Sequence, residues 1–234
     1  MCGLSLRRAG NPGAPGPSSI FESSLMLRLH HAPLTCSLAS RFALVEAGLP
    51  HELVLVRTWK GEQLTGAYRA INPRGKVPAL ETDQGVLTES TAILPFIADL
   101  APARQLFPKA GTFERAQAQS WLSFLSSTLH VALSAAMFPR EGCNNEVAGA
   151  AALARVVEAF QVVDDHLDGR DHMLDAPGVC DLYLLVFALW RAGPSLAGRL
   201  PAFPNIDRLQ QRLMAQPALQ QIVGEEMKLR AEAL

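Results

Sequence analysis

Pro78 stands inside a run, "INPRGKVPALE" (71–81), that otherwise reads as a β-strand. Proline has no amide hydrogen to give to a sheet, so a central strand excludes it. Two arrangements satisfy that constraint. Either Pro78 opens an edge strand, or the Val77–Pro78 bond is cis and turns the Val77 N–H and C=O outward, where an extended peptide can pair with them. Only about 5–6% of X-Pro bonds are cis, so position alone favours the edge strand.

The flanking pattern places this proline in a small α/β unit. "LMLRLHH" (25–31) is a short strand candidate. A helix follows, with Leu38, Phe42 and Val45 on one face and Gly48 closing it. "HELVLV" (51–56) reads as a second strand, and 57–71 as an irregular or helical connection. "KVPALE" and "GVLTES" are two short strands joined by the turn "TDQG", and a helix runs from about Glu89 to Leu100. "APARQLFPKAG" (101–111) is a linker. Residues 112–234 read as helices only, broken near "FPREGCNN", "DGRDHMLDAPG", "AGPSLAGRLPAFPN" and "AQPA". The expected architecture is an α/β domain over 25–101 joined to a larger all-α domain over 111–234. Residues 1–24 are expected to be a disordered tail, because "GNPGAPGPSS" has almost nothing to bury. Met26 is a second candidate start.

Composition narrows the function classes. Hydrophobic residues make up 49% and charged residues 18%, a globular balance. The formal net charge is −1 and no basic stripe is visible, so neither nucleic acid nor a membrane is an expected partner. Cys2, Cys36, Cys143 and Cys180 are scattered without a C-x-x-C pair, and the histidines lack ligand spacing. Neither a disulfide framework nor a metal site is expected, and the chain reads as reduced and cytoplasmic. Arg7 and Arg8 lack the apolar run of an export signal, and "LYLLVFALW" (182–190) is too short to span a bilayer.

Within the α/β unit, Cys36 in "HHAPLTCSLAS" sits where a polar loop becomes a helix. It is either a small buried hydrophobe or a thiol whose ionised form the helix N-terminus favours. Ser37 either caps the helix or hydrogen-bonds a thiolate. Glu89 and Ser90, in "TESTAI", open another helix, which is either an ordinary cap or a carboxylate site.

Taken together, "APLTCSLAS", "NPRGKVPAL" and "TESTAI", on a β-α-β-α-β-β-α unit followed by helices, resemble the cytosolic glutathione S-transferases, most of all the bacterial beta class. The resemblance spans roughly residues 25–230. It implies a thioredoxin-like glutathione-binding domain, an all-helical electrophile-binding domain, glutathione as co-substrate, no metal, and a symmetric homodimer. It implies Cys36 at the glutathione sulfur with Ser37 beside it. It implies Val77, through cis-Pro78, on the cysteinyl backbone, Glu89 and Ser90 on the γ-glutamyl end, and Lys60 on the glycyl carboxylate.

His130, in the uncharged stretch 116–139, matches a histidine near the sulfur. Trp121, Leu122, Leu125, Leu129, Ala132 and Ala136 fit a core stripe. Ser123, Ser127, His130 and Ser134 form a small polar stripe, which is either one wall of a cleft or a helix–helix contact. His31, Ser123 and Ser127 are assigned to the electrophile pocket. The chain also departs from the family pattern. His31 replaces a tyrosine, Ser123 an asparagine and Val131 a lysine, which weakens the expectation of standard glutathione affinity and a standard thiol pKa. In "APGVCDLYLLV" Gly178 stands at the cap where the family has serine or threonine, while Asp181 is retained. The single return bond from Asp181 would make Asp181→Ala cost about 1–2 kcal/mol.

The implied function is a glutathione S-transferase-like enzyme. It conjugates glutathione to apolar electrophiles, or carries out Cys36-dependent thiol transfer or peroxide reduction. The alternative is a non-catalytic ligand-binding or interaction module on the same fold.

Overall fold

The computed structural model describes residues 26–139 and 145–232. The expected tail over 1–24, with Cys2, and Cys143 lie outside the described residues.

The first half is a four-stranded mixed sheet: β1 Leu27–His31, β2 His51–Leu55, β3 Ala79–Thr82 and β4 Gly85–Thr88, in the order β2-β1-β3-β4. Helix α1, Ser37–Ala47, is the crossover that brings β2 back parallel to β1. Gly48 ends it in the left-handed conformation (φ +68°), with its N–H on the Leu44 and Val45 carbonyls. A short helix α2, Gly66–Ile71, precedes β3, and β4 hands over to α3, Ser90–Leu100. Leu27 and Leu29 of β1, Leu80 of β3, Phe42 of α1 and Ile93, Leu94 and Ile97 of α3 are buried together. The alternation of the strands aims these residues at the two helices.

The Val77–Pro78 bond is cis, and β3 begins after it, at Ala79. β3 lies between β1 and β4, so the edge-strand reading of Pro78 is corrected. The proline avoids the ladder by preceding it.

The second half is helical: α4 Phe113–Phe124, a π turn Leu125–Leu129, α5 His130–Met137, α6 Glu146–His166, α7 Val179–Trp190, α8 Pro204–Met214 and α9 Pro217–Ala231. "LYLLVFALW" has no polar face because α7 has no solvent face over most of its length. Every residue from Val179 to Ala188 is buried, between α1 and α3 on one side and α4 and α8 on the other. Among the described residues no helix is long and apolar enough to cross a membrane.

The connection over 101–111 is fastened at both ends. Leu106 and Phe107 are buried, and the Leu106 carbonyl accepts from the Val179 N–H at 2.9 Å. Arg115 lies 4.4 Å over the Phe107 ring and holds both Asp99 oxygens, at 2.8 and 2.7 Å. One hydrophobic cluster therefore runs from the sheet into the helical half. The active-site candidates lie along this seam.

Candidate functional site

Cys36 is the N-cap residue of α1 and is 7% exposed. Its Sγ lies 3.5 Å from Nε2 and 3.8 Å from Nδ1 of His130. His130 opens α5 directly after the π turn. That turn widens the helix by about one residue and breaks the spacing on which the 123/127/130/134 stripe was read. The imidazole stacks on Phe187 (5.6 Å between centroids, 29° between planes) and meets Trp190 at 5.5 Å. Tyr183 packs on Phe187 at 4.7 Å, and its hydroxyl lies beside Cys36 and Ser90. Cys36 thus belongs to the first half and its walls to the second.

The electrostatics weigh the two readings of the Cys36 thiol against each other. Burial pushes the Cys36 thiol up to about 12, against the opposing pull of the Tyr183 hydroxyl and the Cys36 amide. Helix position favours a thiolate, but desolvation outweighs it, so the thiol is protonated at neutral pH. Burial lowers the His130 pKa. Lys76 adds to this and Glu89 partly opposes it, so the imidazole is neutral at pH 7. A neutral imidazole beside a protonated thiol is a proton acceptor next to a nucleophile.

The loop before Cys36 is held from two directions. The Thr35 and Ser37 hydroxyls lie 2.8 Å apart and both reach the Ala32 carbonyl, at 2.9 and 3.1 Å. Ser37 also accepts from the Ala32 N–H, so it staples the turn instead of capping α1 or meeting the sulfur. Across the seam, the Leu34 N–H donates to Glu226 Oε2 at 2.9 Å, and Trp190 Nε1–H donates to the Leu34 carbonyl at 2.8 Å.

Glu226 is fully buried on α9, where Arg41 donates to Oε1 at 2.7 Å and His31 Nδ1 stands 3.3 Å away. Arg41 also pairs with Glu225. Burial alone would raise the Glu226 carboxyl. His31, Arg41 and the Leu34 amide outweigh it and hold the group below its ordinary value. Its stabilisation is therefore complete above the unfolded pKa of about 4.3 and is lost as pH falls through that value toward the depressed folded one. Urea midpoints measured downward from pH about 6 should fall more steeply for wild type than for Glu226→Gln. Equal acid slopes would contradict this assignment.

The remaining candidates lie at the ends of the sheet's connections. Val77 is half-buried, next to the buried Pro78. Glu89 caps α3 at φ +72°, and its exposed carboxylate is paired with Arg74 Nη1 at 3.1 Å. Arg74 also donates to Thr88 Oγ1 at 2.8 Å. Ser90, the first residue of α3, is buried beside Tyr183. Lys60 ends a short 3-10 turn after β2 and is exposed.

The structure thus brings Cys36, His130 and Ser90 together around Tyr183, with Glu89 acting on both Cys36 and His130. It does not bring the assigned pocket residues to the thiol. His31 points into the buried Glu226 cluster. Ser123 and Ser127 are exposed, and the Ser127 hydroxyl donates to the Ser123 carbonyl at 2.7 Å.

Sequence reasoning passed over Tyr183, Phe187 and Trp190, which it took only as an apolar run, and also Arg74 and Glu226. The available signal was the aromatic spacing in "LYLLVFALW": positions 183, 187 and 190 fall on one helical face.

Comparison with known proteins identifies the family. The family model described as "Glutathione S-transferase, N-terminal domain" matches residues 35–100. Glutathione S-transferase GstA of Escherichia coli O157:H7 is 30% identical over 204 residues, 86% of this chain and 98% of that protein. The structure of a sphingomonad glutathione S-transferase complexed with glutathione superposes with a TM-score of 0.75 at 35% identity, covering 85% of this chain and 98% of that one. The bacterial beta-class enzyme of Sphingomonas chungbukensis gives a TM-score of 0.75 at 33% identity with the same coverage. With the cis-proline before β3, the cysteine at the start of α1 and likeness along nearly the whole length of these proteins in hand, the chain belongs to the glutathione S-transferase family.

Proposed function

We propose that this protein binds glutathione along the Val77 edge and reacts through the Cys36–His130 pair. The observation that carries this reading is the 3.5 Å contact between Cys36 Sγ and His130 Nε2, formed across the seam between the two halves. Residues 25–101 supply the glutathione site and residues 111–234 the wall against which an apolar electrophile packs. Val77 offers its backbone to the cysteinyl unit. Glu89 takes the γ-glutamyl ammonium, Ser90 and the α3 N-terminus take the γ-glutamyl carboxylate, and Lys60 takes the glycyl carboxylate. Tyr183, Phe187 and Trp190 form the apolar wall. A homodimer and a cytoplasmic setting are part of the same reading, and they rest on the family.

Two reactions use this geometry. In conjugation, glutathione is held with its sulfur beside Cys36 and His130, and proximity and hydrogen bonding favour its thiolate. In thiol transfer, the Cys36 sulfur attacks oxidised glutathione as its proton passes to the neutral His130 imidazole, which acts as general base in that step. An S–S bond to Cys36 forms, the glutathione disulfide breaks, and the departing glutathione thiolate takes the proton from the imidazolium. The Cys36–His130 contact favours thiol transfer, because a base already touches the nucleophile.

The test is to incubate the reduced protein with oxidised glutathione and measure intact mass with and without reductant, with Cys36→Ala alongside. One glutathione should add reversibly to wild type and none to the variant. An adduct on Cys2, Cys143 or Cys180 instead, or no adduct at all, would remove Cys36 from the chemistry and leave catalysis to bound glutathione alone.

A further inference from the structure

Leu34 lies two residues before Cys36, and its backbone is left-handed, at φ +56°. That region is disfavoured for an L-residue with a branched side chain, because Cβ crowds the following carbonyl. A strained turn persists only where its surroundings over-determine it. Here the surroundings are side chains of the other half of the chain. Glu226 Oε2 takes the Leu34 N–H at 2.9 Å, and Trp190 Nε1 gives its hydrogen to the Leu34 carbonyl at 2.8 Å. Glu226 is itself fixed by Arg41 at 2.7 Å in full burial, and the Trp190 ring touches the His130 imidazole at 5.5 Å. The Ala32 carbonyl accepts from the Thr35 N–H at 3.4 Å and from the Thr35 and Ser37 hydroxyls, which closes a turn around Leu34, but none of these bonds takes the Leu34 N–H or carbonyl.

We propose that Glu226 is a positioning residue for Cys36: acting through the Leu34 amide and together with Trp190, it holds the left-handed turn that keeps the thiol buried against His130. Without this clamp, Leu34 relaxes to negative φ, the 32–36 loop swings, and Cys36 gains solvent. The thiol then loses the desolvation that keeps it protonated, so it reacts faster at neutral pH. Glycine at 34 adopts positive φ without penalty and would keep the turn in place with no clamp. The inference concerns the same cysteine as the proposed function. Its readout is alkylation, not glutathione chemistry, so either can fail while the other stands.

The experiment is the pH profile of iodoacetamide alkylation at Cys36 in the full chain, followed by peptide mass. Glu226→Gln should speed alkylation at neutral pH by about tenfold or more, the equivalent of one pKa unit at fixed pH, and move the profile to lower pH. The double variant Leu34→Gly/Glu226→Gln should return to near the wild-type rate. If Glu226 only stabilises the fold, its variant lowers the unfolding temperature and leaves the alkylation profile in place. That result overturns the proposal, and so does a fast rate that persists with glycine at 34. If Glu226→Gln fails to fold, Trp190→Phe removes the donor to the Leu34 carbonyl and enters the same comparison. The same two results then decide.

Discussion

Gly178→Ser destabilises the protein by about 2–4 kcal/mol, although it installs a better helix cap. On propensity alone the change should help. Serine can accept the N3 amide hydrogen, whereas glycine has no side chain with which to do so. The surroundings reverse that sign. A Cβ at 178 would stand 2.4 Å from the Leu106 carbonyl oxygen and 3.2 Å from its carbon. Both are backbone atoms, so no side chain can turn aside. The same carbonyl accepts the Val179 N–H at 2.9 Å, so backing the connection away costs a buried hydrogen bond of about 1 kcal/mol as well as the strain. Gly178 is extended, at φ −171°, so any residue could adopt its backbone, and close approach alone demands glycine. Thermal unfolding should show a midpoint lower by about 5–15 °C for a chain of this size. A serine variant as stable as wild type would mean that the connection over 101–111 yields freely.

Asp181→Ala should cost about 2–4 kcal/mol, more than the single return bond would suggest. Its carboxylate serves two buried amides: Oδ2 accepts from Gly178 N–H and Oδ1 from Met173 N–H, each at 2.8 Å. Alanine orphans both donors, at about 1–3 kcal/mol each, offset in part because burial no longer opposes a charge there. Burial already pushes the Asp181 carboxyl up, more than the two amides, His172 and Arg212 bring it down. Asp181→Asn keeps one acceptor oxygen and should fall between wild type and alanine in urea denaturation. An alanine midpoint equal to that of wild type would mean that Met173 and Gly178 find water instead.

Much of the architecture could be read from local signals. Pro78 announced an anomaly because a missing amide hydrogen is a property of one residue. The helical breaks carried their own glycines and prolines, and the element order followed from periodicity. The features that local signals missed have one physical origin. The left-handed Leu34 depends on side chains 156 and 192 positions away, and no local pattern encodes such a contact. The serine stripe assumed 3.6 residues per turn, and the π turn at Leu125–Leu129 broke the register between Ser127 and His130. The Cys36 thiol was judged by its place on a helix, but its protonation is decided by the aromatic wall that α7 sets against it. Gly178 read only as an acceptable cap with no side-chain bond to give, because Leu106, 72 positions earlier, was invisible beside it.

Cys36 and its environment are inherited from different stretches of the chain. A chimera that joins this α/β half to a relative's helices keeps Cys36 but replaces the tyrosine, tryptophan and glutamate that pack around it and its loop. Such hybrids should share a ligand and differ in reactivity. Natural drift faces the same rule: changes at 183, 190 or 226 are changes to the cysteine, however far away they are written.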